Sequence, residues 1–377
     1  MSTHFAVDAV AAPHSRYPGC MSPARVVAFR VLQRVEDGGF ASDLLRGLSV
    51  GLDARDAGLA NEIVFGCLRF QAQLDFLISH FSGRPAAGLD SEVRVALRMG
   101  VYQMRYLDRV PAHAAASESV DLVKKAGKRS AAGFVNAILR KAGGEPIAWP
   151  DRAVALSQPQ WLLDRWDGQF GPETAGKIAE AFLLAPERYV RVIMGAPRVQ
   201  DIGSQAIVPL LDLEPGLSFL DICAAPGNKT AQALESGVRA VACDVSLRRL
   251  AGLKPLGCPL VVLDGAVALP FSRPFDRILL DAPCSGTGTL GRNPEIKWRL
   301  RPENLDVFHR KQVQLLANAL KLLAPGGRLV YATCSLEREE NEAVVEEVLG
   351  AAPADCMRRV PGVDAGDGFF AAMIGST

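Results

Sequence analysis

The chain lacks the sequence features that mark membrane or secreted proteins, and it lacks the residue spacing that marks metal-binding proteins. No apolar run approaches the roughly 20 residues of a membrane helix, and no secretory signal pattern is present. The eight cysteines include no Cys-x-x-Cys pair, and with the five histidines they show no metal-ligand spacing. The sequence therefore predicts a cytoplasmic protein with reduced thiols, no membrane contact and no bound metal.

A strong net charge is also missing. The net charge is +1 over 377 residues, of which 49% are hydrophobic and 22% charged, a composition typical of globular domains. The basic residues are unevenly placed, because residues 91–141 contain ten Lys or Arg and four Asp or Glu. A local basic face on a neutral protein suits nucleic-acid binding, although an ordinary solvated helical surface explains the same count.

The hydrophobic pattern changes along the chain. Residues 1–21 are small and irregular and are predicted to be a disordered leader. Residues 22–145 repeat apolar side chains every three or four positions, which predicts a helical bundle. Residues 146–214 form a connector, and residues 215–377 alternate strands with helices. The expected fold is an all-α N-terminal bundle followed by an α/β doubly wound, Rossmann-like domain.

Acidic residues end four of the expected strands of the α/β region. The strands are predicted at 219–222, 240–243, 260–263, 277–280 and 328–333, and the helices at 229–235, 246–253, 302–323 and 339–349. The acids are Asp221, Asp244, Asp264 and Asp281. Open α/β sheets bind ligands at the carboxyl ends of their strands, so these acids indicate a binding site. Turn formation and helix capping explain one or two of the four, but not all.

The turn after the first expected strand is the candidate cofactor loop. It contains Gly227 for a sharp turn but lacks, at this turn, the Gly-x-Gly-x-x-Gly of dinucleotide sites. Asp244 is placed for ribose hydroxyls and Asp264 for an adenine amino group. An acidic rim without a phosphate-binding turn suits a cationic nucleoside, so we expect S-adenosyl-L-methionine. The expected cofactor-binding residues are Cys223, Ala224, Ala225, Pro226, Gly227, Asn228, Lys229, Asp244, Asp264 and Asp281.

Two cysteines follow the ends of expected strands. Cys284 lies in the stretch Asp-Ala-Pro-Cys-Ser-Gly-Thr-Gly at 281–288, and Cys334 follows the strand at 328–333. They are 50 residues apart, which leaves room for one helical crossover between neighbouring parallel strands. We expect both thiols and Asp281 to converge on one pocket. Taken singly, either cysteine is as easily a small buried hydrophobe at a strand end.

These stretches resemble the RsmB/NOP2/Sun family of RNA cytosine-5 methyltransferases. The matching pieces are 223–230, 281–288, 293–298, 331–335, 339–341 and 366–370. The helical region 22–145 resembles the NusB-type RNA-binding domain that precedes the catalytic domain in the bacterial RsmB branch. The resemblance implies an enzyme that methylates RNA, and we expect small-subunit (16S) ribosomal RNA as substrate and a monomeric protein.

The resemblance also implies roles for individual side chains. Cys334 is expected to add to carbon 6 of cytosine, which makes carbon 5 able to attack a methyl donor. Cys284 is expected to assist release of the product. Asp281 is expected to hydrogen-bond ring nitrogen 3, and Lys229 to contact the base or the cofactor tail. The predicted catalytic residues are therefore Cys334, Cys284, Asp281 and Lys229.

The chain departs from the family pattern in two places that bear on function. Asn228 stands where the family usually has a second glycine, and residues 194–198 join the two ends of a longer family segment. Two alternatives therefore remain open. One is a transfer-RNA cytosine-5 methyltransferase, and the other is a catalytically weak RNA-binding protein with a NusB-like module. Asn293, Lys297 and Arg299 either grip RNA or belong to a solvated basic loop.

Overall fold

The computed structural model describes residues 21–144 and 147–375, which divide into two compact units between Ser157 and Gln158. Residues 1–20 of the expected leader lie outside the described residues. Residues 158–214, part of the expected connector, are described with the second unit. The domain limits drawn from the sequence stay predictions. No helix within the two described ranges is long and apolar enough to cross a membrane.

The described residues of the first unit form helices and no strands. The helices are α1 (Pro23–Glu36), α2 (Ala41–Leu48), α3 (Ala54–Arg69), α4 (Gln71–Ser82), α5 (Ser91–Tyr106), α6 (Ala112–Lys125), α7 (Ala132–Ala142) and α8 (Arg152–Ala155). Helix α5 is the central helix, because it is buried along most of its length and contacts α1, α3, α4, α6 and α7. Its close approach to α3 depends on Gly66, where a Cβ would collide with the Tyr102 ring.

The second unit combines short helices with two sheets. Its helices are α9 (Gln160–Phe170), α10 (Pro172–Ala181), α11 (Ile202–Gln205), α12 (Asn228–Leu234), α13 (Leu247–Leu250), α14 (Ile296–Arg299), α15 (Pro302–Leu320) and α16 (Glu342–Leu349). Its strands are β1 (Val190–Ile193), β2 (Ala196–Val199), β3 (Ser218–Ile222), β4 (Arg239–Asp244), β5 (Leu260–Val262), β6 (Phe275–Asp281), β7 (Leu323–Thr333), β8 (Cys356–Arg359) and β9 (Phe369–Gly375).

The main sheet has seven strands in the order β5-β4-β3-β6-β7-β9-β8. Strands β3 to β7 are parallel, and β9 and then β8 close one edge in antiparallel orientation. The order reverses direction beside β3, which creates the crevice where open α/β sheets bind ligands. Apolar side chains of β3, β6 and β7 pack against α15 and α16 on one face of the sheet. The predicted fold class, a helical bundle followed by a doubly wound Rossmann-like domain, is confirmed.

Several predicted elements differ from the observed ones. The helix expected at 302–323 ends at Leu320, and the strand expected at 328–333 begins at Leu323. The helix expected at 246–253 narrows to α13 and continues as a tighter turn to Leu256, because Pro255 cannot extend an α-helix. The helix expected from 339 begins at Glu342. The link expected at 195–198 is strand β2, which pairs with β1 in a separate hairpin. Met194 and Gly195 form its turn with φ of +51° and +74°, as tight hairpin turns require.

Candidate active site

Adjacent parallel strands β6 and β7 deliver the two cysteines to the same edge of the sheet. Asp281 at the end of β6 pairs in register with Ala332 in β7. Each strand then continues into a loop that carries one thiol. Cys284 Sγ lies 3.2 Å from Cys334 Sγ, within hydrogen-bonding distance. Both cysteines are partly exposed rather than enclosed in hydrocarbon. The structure therefore brings together the two thiols that the sequence placed 50 residues apart.

Two cysteines near the site, Cys284 and Cys223, have raised pKa values. The hydrogen bond to Cys334 and then burial raise the pKa of Cys284 well above its ordinary value. Cys284 is therefore a thiol at neutral pH. Cys223, at the start of the cofactor loop, has a pKa raised to about 12, chiefly by burial. That thiol is placed to line the loop and not to act as a nucleophile.

The loops meet through glycines that allow their backbones to touch. Gly288 N donates to the carbonyl of Cys334 over 2.9 Å, and Gly368 N donates to the carbonyl of Gly288 over 2.8 Å. A Cβ at Gly288 would lie 2.5 Å from Gly368 O and 2.8 Å from Cys334 O. Only glycine fits at this crossing of three chain segments, which lies four residues beyond Cys284.

Lys229 and Asp281 form an ion pair beside the thiols. Lys229 Nζ is 2.6 Å from Asp281 Oδ2, and the lysine side chain is 11% exposed. Burial alone would lower the pKa of Lys229, but the charge and the hydrogen bond of Asp281, with smaller contributions from Cys334 and Asp221, together raise it. The pair borders a cleft of about 240 Å³ that Arg292 and Asp367 also line. This volume is below the ~300 Å³ at which drug-sized ligand pockets begin, so the cleft suits a small group.

The cofactor loop between β3 and α12 is held in an unusual backbone conformation. Cys223 and Gly227 have φ of +67° and +99°, and a Cβ at Gly227 would lie 2.6 Å from the Leu253 side chain. Asp244 joins this loop to β4, because its carboxylate accepts from Ala225 N over 3.2 Å and from the Ser246 N–H over 2.9 Å. Asp244 lies at the end of β4, the position at which a ribose-binding acid was predicted. Its hydrogen bonds to the backbone also hold the cofactor loop in place.

Asp221 carries an unsatisfied acceptor at the base of this loop. The side chain is 1% exposed, and Oδ2 accepts from Thr230 Oγ1 over 2.6 Å. Oδ1 is buried and has no hydrogen-bond partner among the described residues. Burial raises the pKa of Asp221 to about 7. An orphaned, buried acceptor at the base of a glycine-bent loop fits a ligand with a donor or a positive charge.

The remaining predicted cofactor residues have local partners. Asp264 is exposed, and its Oδ1 accepts from Ala266 N over 3.0 Å, as in a turn. Asn228 at the start of α12 donates from Nδ2 to Val199 O over 3.1 Å. Its Oδ1 accepts from Arg198 over 3.4 Å. The asparagine therefore ties the cofactor loop to β2, a contact that a glycine at this position could not make.

A buried charge cluster beside the cleft is absent from the sequence predictions. Arg292 donates to Asp367 Oδ2 over 2.6 Å and to Asp201 Oδ2 over 2.8 Å. Burial and the charge of Asp201 raise the pKa of Asp367 to about 6, although Arg292 opposes the rise. One signal for this cluster was present before the structure, since Asp367 lies within the matched stretch 366–370.

One basic residue is not solvated as a surface loop would require. Lys297 is 1% exposed, and its ammonium lies 4.9 Å from the centroid of the Trp298 ring. The solvated-loop alternative is therefore wrong for Lys297, and its contact with RNA stays a prediction. Asn293 donates to Thr289 Oγ1 over 3.1 Å. In the residues that the structure describes, no group of three or more His, Cys, Asp and Glu side chains could hold a metal ion.

A sheet of this strand order, with its crevice at the ends of β3 and β6, is a doubly wound Rossmann-like fold. Comparison with known proteins identifies the family. Residues 208–374 match the family model of the 16S rRNA methyltransferase RsmB/F, and residues 22–143 match the NusB family.

The chain is 31% identical over 419 positions to ribosomal RNA small subunit methyltransferase B of Klebsiella pneumoniae subsp. pneumoniae, covering 93% of this chain and 97% of that protein. The protein of the same name from Salmonella arizonae is 32% identical over 420 positions, with the same coverage. The chain belongs to the RsmB family of methyltransferases, which confirms the resemblance seen in the sequence.

Solved structures show the same fold. The crystal structure of PH0851 matches with a TM-score of 0.76 and 23% identity, over 94% of this chain and 99% of that chain. A methyltransferase homolog protein from Pyrococcus horikoshii matches with a TM-score of 0.52 and 26% identity, over 61% of this chain and all of that chain. The alignment to the Klebsiella relative spans 419 positions, which is longer than this chain of 377. That relative therefore contains stretches that this chain lacks.

Proposed function

We propose that the chain transfers a methyl group from S-adenosyl-L-methionine to carbon 5 of a cytosine in 16S ribosomal RNA. The observation that carries the proposal is the 3.2 Å separation of Cys284 Sγ and Cys334 Sγ, beside the Lys229–Asp281 ion pair. The names of the matched relatives support ribosomal RNA as the substrate class. The helical unit supports RNA binding, because His113, Lys124, Asn136 and Arg140 line one groove of it.

Two thiols suit this reaction because carbon 5 of cytosine is a weak nucleophile. Cys334 Sγ forms a bond to carbon 6, and the displaced ring electrons make carbon 5 able to take the methyl group. The proton on carbon 5 must then leave, and Cys284 can assist as a thiolate at this stage, because the hydrogen bond with Cys334 that chiefly raises its pKa is lost once Cys334 Sγ is bonded to carbon 6. The bond from Cys334 to carbon 6 breaks as the double bond between carbons 5 and 6 re-forms, which restores the thiolate.

Lys229 and Asp281 orient the base in this scheme. The ion pair keeps Lys229 protonated and fixes both side chains at the border of the cleft. Asp281 faces ring nitrogen 3 of the cytosine, and Lys229 donates to the base. A base enters such a cleft only when it is unstacked, which costs a few kcal/mol and favours single-stranded or looped RNA.

The residues at the ends of β3, β4 and β5 fit the cofactor. S-adenosyl-L-methionine supplies the methyl group on a positively charged sulfur. Asp221 Oδ1, buried and without a partner in the described part of the chain, would face a cationic group of this molecule. Asp244 and Asp264 would hold the ribose and the adenine, and the bent loop 223–228 would bring its backbone close to the ligand.

A methyl-transfer assay tests the proposal. Purified full-length protein is incubated with labelled S-adenosyl-L-methionine and either unmodified 16S ribosomal RNA or transfer RNA, and products are digested to nucleosides. We expect 5-methylcytidine in the ribosomal RNA and none with Cys334→Ala. Label in transfer RNA alone would favour the transfer-RNA enzyme. Cofactor binding without transfer to either RNA would favour an RNA-binding protein that is catalytically weak.

A variant of the second thiol tests the order of events. Cys284→Ala should leave the bond between Cys334 and carbon 6 unbroken, so RNA stays attached to the protein. We expect a slow-migrating band on a denaturing gel that disappears with nuclease and is absent from Cys284→Ala/Cys334→Ala. Normal turnover by Cys284→Ala would remove the role assigned to that thiol.

A further inference from the structure

Each cysteine is followed by a serine, and both serines reach one buried carboxylate. Ser285 follows Cys284 in the β6 loop (residues 282–288), and Ser335 follows Cys334 in the β7 loop (residues 334–341). Both hydroxyls donate to Glu340 Oε2, that of Ser335 over 2.5 Å. Ser285 N also donates to Glu340 Oε1 over 2.7 Å. One side chain therefore connects the residues next to both thiols.

The connection is closed to solvent and backed by α15. Glu340 is 0% exposed, so it has no direct access to a substrate. Gln312 in α15 donates from Nε2 to Glu340 Oε1 over 3.2 Å and to Pro283 O over 2.9 Å. Because Pro283 precedes Cys284, the same amide fixes the other side of that thiol. The β6 loop is thus held at the residues before and after its cysteine.

Asn341 performs the equivalent function on the β7 loop. Its Nδ2 donates to the carbonyl of Ser335 over 3.0 Å, and its Oδ1 accepts from Thr333 Oγ1 over 2.5 Å. These two partners are the residues on either side of Cys334. The dipeptide Glu340–Asn341 therefore brackets one thiol and links it to the loop of the other.

A carboxylate is the side chain that this position requires. It offers two acceptor oxygens with about four lone-pair sites, whereas an amide offers one acceptor oxygen and two donors. Ser285 N, Ser285 Oγ and Ser335 Oγ are all donors to Glu340, so a glutamine would keep this pattern only in part, and the two hydroxyls would have to reverse and accept from its amide. Burial raises the pKa of Glu340, and the hydrogen bonds from Ser285 and Ser335 oppose that rise. Such a buried acid is costly unless its hydrogen bonds are retained.

We propose that Glu340 is a positioning residue that sets the separation of Cys284 and Cys334 by holding the β6 and β7 loops together. The proposal rests on the proposed function, because it assigns both thiols to one pyrimidine ring. Two groups that act in turn on neighbouring ring carbons must both be held in place. A displacement of about 1 Å in such a site costs about 100-fold in rate.

The thiol pair itself provides a readout that does not depend on methyl transfer. Full-length protein is equilibrated in glutathione buffers, and the Cys284–Cys334 disulfide is quantified by peptide mass spectrometry. In this exchange the two thiols lose two electrons and two protons, and one glutathione disulfide becomes two glutathione molecules. We expect Glu340→Gln to lower the equilibrium constant at least tenfold, equivalent to about 30 mV. The matched control Glu303→Gln, at an exposed position in α15, should leave it unchanged.

Folding is checked by circular dichroism, and Ser335→Ala provides a second variant. It removes one donor to Glu340 while the carboxylate stays, and we expect about a threefold lower equilibrium constant, because one of several hydrogen bonds is lost. If Glu340→Gln folds and its disulfide equilibrium is unchanged, the proposal is overturned. If Glu340→Gln does not fold, an unchanged disulfide equilibrium in Ser335→Ala overturns it.

Kinetics supply an independent readout. Displacement of the two thiols by Glu340→Gln should lower kcat about 10- to 100-fold. Because Glu340 is buried and has no direct access to the substrate, KM for RNA should stay unchanged. A raised KM with unchanged kcat would contradict a positioning role. Absence of methyl transfer by the unaltered protein would refute the proposed function, while the disulfide equilibrium would still decide the role of Glu340.

Discussion

Lys229 Nζ lies 2.6 Å from Asp281 Oδ2, and this contact joins the start of α12 to the end of β6. Lys229 stands in the first turn of α12, after β3, and Asp281 ends the neighbouring parallel strand β6. The contact therefore links the two segments that would have to meet for a donor and a base to react. Its strength is testable without any substrate.

A double-mutant cycle on this pair should show coupling. Asp281→Asn leaves the ammonium of Lys229 without its counter-ion, so we expect a loss of roughly 1–3 kcal/mol in the free energy of unfolding. Lys229→Met with Asp281→Asn should lose less than the sum of the single changes. Urea unfolding of the four proteins measures this. Strictly additive losses would show that the two side chains do not interact.

The same pair predicts the direction of an alkaline pH dependence. The pKa of Lys229 is raised in the folded protein. Its contribution is therefore fully present below lysine's ordinary pKa of about 10.4 and is lost as pH rises through the folded value. The stability of the unaltered protein should fall more steeply above about pH 10 than that of Asp281→Asn. Parallel pH profiles would contradict this assignment.

The pKa of Cys284 should fall when its neighbour is removed. Its hydrogen bond with Cys334 is the main cause of the raised pKa, and burial is the second. In Cys334→Ala the first cause is gone, so more thiolate forms at a given pH and Cys284 should react faster with iodoacetamide between pH 7 and 9. Mass spectrometry measures the rate, with exposed Cys356 as the internal reference. An unchanged ratio of the two rates would mean that the thiols do not share a proton.

The positions of Asp281, Cys284 and Cys334 at strand ends were predictable, because each is marked by residues next to it in the sequence. A short apolar run that ends in Asp-Ala-Pro-Cys, or in Thr-Cys-Ser, marks both the strand and the residue it delivers. Parallel strands then bring such ends to one edge by geometry alone, as the pairing of Asp281 with Ala332 shows. Pro255 was an equally local signal, and it explains why α13 is shorter than the periodicity suggested.

The supporting contacts could not be predicted from spacing. Glu340 joins Ser285 across 55 residues, and Arg292 joins Asp201 across 91. Neither partner has a sequence pattern that names the other. The burial of Lys297 is similar, since a basic residue after a glycine-rich loop is usually solvated, and only the folded chain shows otherwise. Asn228 was visible as a departure from the family, but its contact with Val199 required the hairpin.

Asp221 should make cofactor affinity depend on pH near neutrality. Its pKa is raised to about 7, mainly by burial. Below that pH the side chain is neutral and attracts a cation weakly, and above it the carboxylate is charged. We expect calorimetry to show several-fold weaker binding of S-adenosyl-L-methionine at pH 6 than at pH 8. Asp221→Asn should bind weakly and equally at both, whereas the same pH dependence in that variant would exclude Asp221 as the titrating group.

Gly288→Ala should separate the three segments that meet beside the thiols. The new Cβ would lie 2.5 Å from Gly368 O and 2.8 Å from Cys334 O, and neither backbone atom is free to rotate away as a flexible side chain is. We expect a loss of roughly 2–4 kcal/mol in the free energy of unfolding, because such overpacking forces the backbone to move. Gly291→Ala, three residues further along the chain, is the matched control, since its Cβ would meet its nearest neighbours at an ordinary 3.8 Å. Chemical denaturation measures both variants, and the Cys284–Cys334 disulfide equilibrium shows whether the β7 loop has moved with Cys334. If Gly288→Ala matched Gly291→Ala in both measurements, the close approach of these loops would not be what holds the thiols together.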